Sequence, residues 1–189
     1  MPELNITGLR LANQRLSASS FRSPVEVVSW LGAVQAQDYA GAKWALSLRA
    51  NGISDAQIEQ ACTDGSILRT HLLRPTWHFV APDDIRWMLK LTAPRVHAAS
   101  AFMYRQSGLD KAIFKKSNTI IEKSLRGGRQ LTRTELASAL DQAGIPAEGF
   151  HLGYLMMYAE LEGIICSGAR RGKQFTYALL KSVRYRSSP

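Results

Sequence analysis

The first third of the chain places apolar residues at a spacing that favours helices. Val27, Leu31 and Val34 recur at intervals of three and four residues, so they share one face of a helix. Ser23-Pro24 suits the start of this helix, because serine caps helix N-termini and proline fits the first helical position. We therefore predict a helix over residues 24–34. Similar patterns predict helices over residues 9–16, 41–49 and 55–62.

A β-rich stretch follows these helices. Residues 66–73 and 76–80 contain many β-branched and aromatic side chains, and Arg74-Pro75 between them suits a turn. Strand alternation would place Trp77 and Phe79 on the same face of this hairpin. Helices followed by a hairpin are the outline of a winged helix.

The middle of the chain is helical in pattern and contains two candidate helix starts. Pro82 is predicted to begin a helix that ends near residue 91, and Pro94 to begin another that ends near residue 105. A basic amphipathic helix is predicted over residues 109–125, before Gly127-Gly128. This part of the chain is predicted to connect two units.

The outline then repeats. Thr132 and Glu135 have the spacing of a capping box in front of one helix, and a second helix is predicted over residues 153–161. Residues 164–166 and 174–179 are predicted to form strands. The whole pattern predicts a mainly α-helical protein with small β-hairpin wings (α+β), built from tandem winged-helix units. The predicted divisions are a first unit over 1–92, a helical connector over 93–128 and a second unit with a basic wing over 129–189.

The chain carries a net charge of +9, and the charge is unevenly distributed. The part up to residue 94 is nearly neutral, so almost all of the excess lies in the second half. A basic surface suits a polyanionic partner, because each neutralised phosphate releases condensed counterions. The alternative is an ordinary solvated surface, and charge alone does not distinguish the two.

Several classes of function lack their sequence signatures. Cys62 and Cys166 are far apart and fit no zinc or disulfide framework, so we predict no metal site and a reducing compartment. No glycine-rich nucleotide loop is present, so we expect no cofactor. No secretion signal and no long apolar run is visible, so we expect no membrane association and a cytoplasmic, nucleoid-associated protein.

The loop between the last two predicted strands holds three cations. Arg170, Arg171 and Lys173 lie among glycines, and we predict that they point outward to contact phosphates. The helix before this wing has no arginine or asparagine for base contacts, and Glu160 and Glu162 would repel phosphates. This unit is therefore expected to recognise the shape and the phosphates of nucleic acid, or to act as a scaffold, and not to recognise a base sequence.

A second set of candidates lies in the first unit. Gln35 and Gln37 are two residues apart, so they can share a site only if the chain is extended there, and a helix end would allow that. Arg69, Arg74 and His78 on the predicted hairpin are candidate DNA contacts. The alternatives are solvated glutamines and a packed wing in which His78 satisfies a buried backbone group.

These stretches resemble the AlkZ-like (YcaQ-like) winged-helix DNA glycosylases. The resemblance rests on SWLGAVQAQDYA from Ser29 to Ala40, on Leu68-Arg69-Thr70, and on RPTWHFVAPDD from Arg74 to Asp84, and it extends from about Leu9 to Leu180. It implies tandem winged-helix units on bacterial double-stranded DNA, with excision of alkylated bases or unhooking of interstrand crosslinks. The chain departs from the family in length, because members are about twice as long and usually carry a third unit. Residues 181–189 stand where a more acidic continuation is expected.

The resemblance also implies site roles. The Gln-x-Gln motif is the family's catalytic element, so a catalytic role is implied for Gln35 and Gln37, and Asp38 is a weaker candidate for negative charge near the sugar. The leading hypothesis is a monofunctional DNA glycosylase. The alternatives are a non-catalytic winged-helix DNA-binding protein, such as a regulator or truncated paralogue, and a protein-interaction scaffold. The sequence leaves the oligomeric state open.

Overall fold

The structure is a computed structural model that describes residues 5–17 and 19–183. Residues 184–189 of the basic C-terminal segment singled out above lie outside the described residues. Along the described chain the elements are α1 (Ile6–Asn13), α2 (Pro24–Leu31), β1 (Ala33–Gln35), α3 (Tyr39–Ser47), α4 (Asp55–Thr63), β2 (Leu68–Leu72), β3 (Arg74–Val80), α5 (Pro82–Gln106), α6 (Lys111–Ser124), β4 (Leu131–Thr132), α7 (Arg133–Gln142), α8 (Gly149–Leu161), β5 (Ile165–Ser167) and β6 (Thr176–Leu179). The predicted class, mainly helical with two small antiparallel sheets, is confirmed.

Helix α2 ends earlier than predicted. Ser23 caps it as expected, with its hydroxyl accepting from the Glu26 backbone N–H, but the helix stops at Leu31. Gly32 has φ +76°, a left-handed conformation that ends the helix and that glycine adopts at low cost. The prediction of a helix to residue 34 is therefore wrong, because the chain turns at Gly32 and continues as β1.

The hairpin turn is also displaced from its predicted position. Leu73, with φ +64°, forms the turn, and Arg74-Pro75 begins β3. Pro75 is tolerated there because the β2–β3 register shifts between His71 and Leu72, and because β1 pairs only with the far end of β3. The first sheet has the strand order β1-β3-β2 and is antiparallel throughout.

A single helix of 25 residues replaces the two predicted around Pro94. Pro94 lacks an N–H and normally breaks a helix interior. Here it is exposed on the solvent side, where water can satisfy the carbonyl that its missing N–H leaves unpaired. A buried stripe runs past it without interruption and holds the two halves together: Ile85, Leu89, Ala93, Val96, Ser100 and Tyr104. Packing therefore outweighs the local preference.

The second unit follows its predicted outline closely. The capping box is confirmed, with Thr132 Oγ1 accepting from the Glu135 N–H and the Glu135 carboxylate accepting from the Thr132 N–H. Helix α8 begins at Gly149, earlier than predicted. The sheet has the order β4-β6-β5, in which the two-residue strand β4 was not predicted.

Two apolar clusters form the core. The smaller one lies within the first unit and surrounds Phe79, Val28 and Leu46. The larger one begins at the hairpin residues Leu68 and Leu72 and extends through α5, α6, α7 and α8. One continuous core extends across residues 92 and 128. The predicted boundaries between units at these two residues stay a prediction. In the part of the chain that the structure describes, no helix is both long and apolar enough to cross a membrane.

Candidate nucleic-acid interface

The chain is extended at the two glutamines, as a shared site requires. Gln35 is the last residue of β1, and the Ala36 N–H continues the pairing by donating to the Trp77 carbonyl at 2.7 Å. Both glutamines are exposed, and Ala36 between them is buried. Because side chains alternate along extended chain, Gln35 and Gln37 project to the same side.

Both amides are held by the start of β3. The Arg74 guanidinium donates from Nη2 to Gln35 Oε1 at 2.6 Å, and the Trp77 backbone N–H donates to Gln37 Oε1 at 3.3 Å. Each partner is a donor only, so in both side chains the carbonyl oxygen must face the protein. The two NH₂ groups are then free to donate to a ligand on the exposed side.

Asp38 follows the pair and begins α3. Its Oδ1 accepts from the Gly41 N–H at 3.1 Å, which caps the helix. The side chain is exposed beside Gln37. Asp38 therefore has a structural role in orienting α3 and also adds a negative charge next to the exposed amides.

His78 lies directly across from Gln35 in the sheet but is only 3% exposed. Its Nδ1 contacts the Thr76 carbonyl at 2.9 Å, as in the packed-wing interpretation. Burial lowers the pKa of His78, against the opposing effect of that carbonyl, so the ring is neutral at neutral pH. In this conformation His78 supports the strand and does not reach a phosphate.

Arg69 is also interior, with 9% of its surface exposed. Its Nε donates to the Ala36 carbonyl at 3.1 Å, and its guanidinium lies 4.5 Å from the ring centroids of both Trp77 and Phe175. Burial lowers the pKa of Arg69. Arg69 thus fixes the segment between the two glutamines from behind, where the sequence had suggested a DNA contact.

The three wing cations do not all point outward, so that prediction is wrong for Arg170. Its Nη1 pairs with Glu59 at 3.0 Å, and its side chain is 24% exposed. Arg171 pairs with Glu135 at 2.8 Å. Lys173 is exposed and has no ion pair within residues 5–17 and 19–183. Lys173 is therefore the wing cation most available to a phosphate.

Glu59 anchors the wing to the first unit. It accepts from Tyr39 Oη at 3.0 Å and Lys43 Nζ at 2.6 Å as well as from Arg170. Burial opposes its ionisation, but the hydrogen bonds from Lys43 and Tyr39 and the charge of Arg170 hold the pKa of Glu59 below its ordinary value. The three groups therefore keep Glu59 ionised and the wing attached.

A second contact between the two units was not predicted, because its partners are far apart along the chain. Glu160 on α8 is 1% exposed and bonds His71 Nδ1 on β2. The expectation that Glu160 would repel phosphates is therefore wrong, since its carboxylate is interior. Ser167 Oγ also accepts from the Arg69 N–H at 2.7 Å. These partners are about ninety residues apart, a distance over which one sequence carries no pairing signal.

A basic depression of about 280 Å³ lies between the hairpin and the wing. It is lined by Arg69, Trp77 and Lys173, and by Arg133 at the start of α7. Arg133 is a further half-buried cation that the sequence did not single out. Among the described residues, no group of three or more His, Cys, Asp or Glu side chains is placed to hold a metal ion.

Comparisons with known proteins identify the family and the fold. The family model described as "DNA glycosylase AlkZ-like" matches residues 28–188. The structure of the Streptomyces sahachiroi DNA glycosylase AlkZ superposes with a TM-score of 0.77 at 24% identity, over 92% of this chain and 48% of that chain. The shared fold confirms the predicted winged-helix class, and the chain spans about half the length of that protein. No curated protein sequence matches the chain.

Proposed function

Because the chain belongs to the AlkZ-like family of DNA glycosylases, we propose that it hydrolyses the N-glycosidic bond of alkylated or crosslinked bases in double-stranded DNA. We further propose that it does so without forming a covalent bond to the DNA, on chromosomal DNA in the bacterial cytoplasm. Gln35 and Gln37 are the proposed catalytic residues. The observation that carries the proposal is that both amides are exposed on one side of the chain and anchored to one strand.

The chemistry requires little acid catalysis. An N7- or N3-alkylated purine already carries positive charge, so it departs as a neutral base once the glycosidic bond breaks. The remaining tasks are to stabilise the oxocarbenium-like sugar and to position the attacking water, as in other glycosidic cleavages. Neutral amides suit this role because they hold a water without repelling the cationic sugar.

The anchoring of each amide defines its task. Arg74 and Trp77 occupy one lone pair of each carbonyl oxygen, which leaves the second lone pair and the NH₂ group for a water or a sugar oxygen. The side chains are thus oriented before DNA binds, which lowers the entropy lost on reaching the transition state. The Asp38 carboxylate adds negative charge that favours the developing positive sugar.

Cations around this edge supply the proposed DNA contacts. Arg74 and Lys173 are exposed and Arg133 is half-buried, and Lys173 and Arg133 line the basic depression together with Trp77. These side chains lie on the hairpin, the wing and the start of α7, so phosphates on both sides of the lesion can be neutralised together. Such contacts position a duplex without reading its sequence.

The test is excision of N7-methylguanine from a duplex oligonucleotide, followed by cleavage of abasic sites on a gel. We expect Gln35→Ala and Gln37→Ala to lower the excision rate by about 10² to 10³, the usual cost of removing a transition-state donor. DNA affinity should stay within a few-fold. Gln60→Ala changes an exposed glutamine on α4 and is the matched control, with an expected rate equal to that of the unchanged chain.

The same samples separate the second candidate function. A chain that binds duplex DNA with normal salt dependence and yields no abasic product from any alkylated substrate is a non-catalytic winged-helix DNA-binding protein. Binding that does not weaken as salt rises would exclude both candidates, because phosphate-driven association releases counterions.

A further inference from the structure

A cavity of about 670 Å³ adjoins the basic depression and shares Trp77 and Arg133 with it as lining residues. It opens between the tip of the hairpin, the second half of α5 and the first half of α8. This volume is within the range of small-molecule sites in proteins. Its walls are mostly apolar and include Pro75, Trp77, Met103, Phe150, Tyr154 and Met157. The glutamine chemistry described above does not use it.

The walls of this aromatic cavity suit a flat ring. Trp77, Phe150 and Tyr154 supply three aromatic faces or edges, and Gly149 and Gly153 leave bare backbone between them. Phe150 is 85% exposed, which is unusual for a phenylalanine in a structured helix. An apolar side chain kept at the mouth of a cavity is consistent with contact to a bound group.

Trp77 is fixed in place before any ligand binds. The His71 ring lies 4.3 Å from it, and the Arg69 guanidinium lies 4.5 Å from its centroid. Its backbone N–H holds Gln37. The same residue therefore forms a wall of the cavity with its ring and positions one of the proposed catalytic amides with its backbone N–H.

A buried polar pair provides the hydrogen-bonding group. His71 lines the cavity and is 6% exposed, and its Nδ1 is bonded to the interior carboxylate of Glu160. Its Nε2 has no partner among the described residues. An apolar core would not require such a pair, and a carboxylate behind the imidazole sets which ring nitrogen faces the ligand. The cavity thus combines stacking surfaces with the oriented His71 Nε2, and Ser100 and Arg133 are further polar side chains in its lining.

We propose that the aromatic cavity binds a purine base, with Trp77 and Tyr154 contacting its plane and His71 Nε2 hydrogen-bonding to its edge. This inference rests on the proposed function, because an excised alkylated base is the product released beside Gln37. A purine matches the site chemically: it is flat, presents ring faces to aromatic side chains, and carries N–H and ring nitrogen groups on its edge.

The test measures binding of free 3-methyladenine by calorimetry to the unchanged chain and to two variants. Gly153→Leu fills the cavity, and it fits because residue 153 is helical and an added Cβ meets only Arg133 Nη2, at 3.5 Å. Ala112→Leu adds the same side chain at an exposed position on α6. We expect Gly153→Leu to weaken binding at least tenfold and Ala112→Leu to leave it within twofold.

The variant Phe150→Ala tests the same cavity in case Gly153→Leu does not fold. Phe150 is exposed, so Phe150→Ala leaves the core intact, and we expect it to weaken 3-methyladenine binding several-fold. Methylnaphthalene has similar ring area and no hydrogen-bonding edge, and it should bind more weakly than 3-methyladenine. Equal binding of the two compounds, equal affinity of Gly153→Leu and the unchanged chain, or no binding at millimolar concentration would each overturn the proposal.

The excision assay separates this inference from the function on which it rests. A chain that excises N7-methylguanine and fails to bind the free base retains its proposed function and loses the base site. A chain that binds 3-methyladenine in the aromatic cavity and excises nothing retains the base site and loses the glycosylase function.

Discussion

The two three-stranded sheets have the same layout and present different chemistry. In each, a short strand and the outer hairpin strand flank a central strand, and helices precede them. The first sheet exposes Gln35, Gln37 and Arg74 along one edge. In the second unit, Ser167 on β5 bonds to the Arg69 N–H and Arg170 in the β5–β6 loop pairs with Glu59, so both polar groups contact the first unit.

The second unit holds the first unit in position. Helix α8 occupies the place of a recognition helix, but most of its side chains are buried. Its Glu160 reaches back to His71 on the first hairpin. In the proposed function, the second unit contacts DNA through the wing residue Lys173 and the α7 residue Arg133. Its helix α8 and its wing loop meanwhile support the hairpin that holds the proposed catalytic residues.

The most damaging way to break this arrangement is to remove the interior carboxylate. We expect Glu160→Ala to lower the free energy of unfolding by about 3 to 5 kcal/mol, because His71 is left buried without its partner. Glu162→Ala, at the C-cap of the same helix, is the control, since the Glu162 side chain is 45% exposed where it contacts His97. Its cost should stay below about 1 kcal/mol in urea denaturation. An equal loss of unfolding free energy in the two variants would mean that the buried contact between His71 and Glu160 does not hold the units together.

The two capping boxes allow a test of whether helices in the two units depend equally on their N-caps for stability. Ser54 and Thr132 begin α4 and α7 with the same pair of reciprocal hydrogen bonds. Ser54→Ala and Thr132→Ala should each cost about 1 kcal/mol, the usual value for a lost cap. The measurement is chemical denaturation of both variants. A cost confined to one of them would show that the two helices differ in their dependence on local structure.

The wing cations sharpen the distinction between binding and support. We expect Lys173→Ala to weaken duplex affinity and to reduce the slope of log affinity against log salt by about 1, with the melting temperature unchanged. Arg170→Ala should instead lower stability by about 1 kcal/mol, since it releases the wing from Glu59. Salt titrations by fluorescence anisotropy distinguish the two. If Arg170→Ala alone changed the salt slope, the assignment of supporting and binding cations would be reversed.

The smallest expected effect is a loss of stability in acid. Burial lowers the pKa of His78 below its ordinary value of 6.5, so folding favours the neutral ring. Stability is then fully present above 6.5 and declines as the pH falls through the lower folded pKa. Melting temperatures at pH 7.5 and 5.0 should show this decline, and His78→Gln should reduce it. His97 contributes in the same direction, because burial also lowers its pKa. A pH dependence that is unchanged in His78→Gln would assign the effect to His97.

Local patterns predicted most of the helices and both hairpins. Caps at Ser23, Ser54 and Thr132 are contacts between residues three apart, so the sequence alone contains both partners. At two of the positions that were predicted wrongly, the tertiary structure outweighed a local signal. Pro94 lies within a continuous helix, and Arg74-Pro75 lies within a strand. The resemblance of the Gln-x-Gln stretch supplied the candidate residues, whereas their anchors Arg74 and Trp77 became visible only in the fold.

Most of the helices, both hairpins and the basic second half could be predicted from sequence, because each depends on neighbouring residues or on a sum over residues. Only the tertiary structure decided which charged groups are available to a ligand. Nothing in the sequence distinguishes Arg69, Arg170 and Glu160 from exposed charged residues such as Arg74 and Lys173. In the fold, Arg69 and Glu160 are buried, Arg170 is partly buried, and each has a partner distant along the chain. The cost of burying a charge is offset only by such a partner, and its identity depends on how the two units pack.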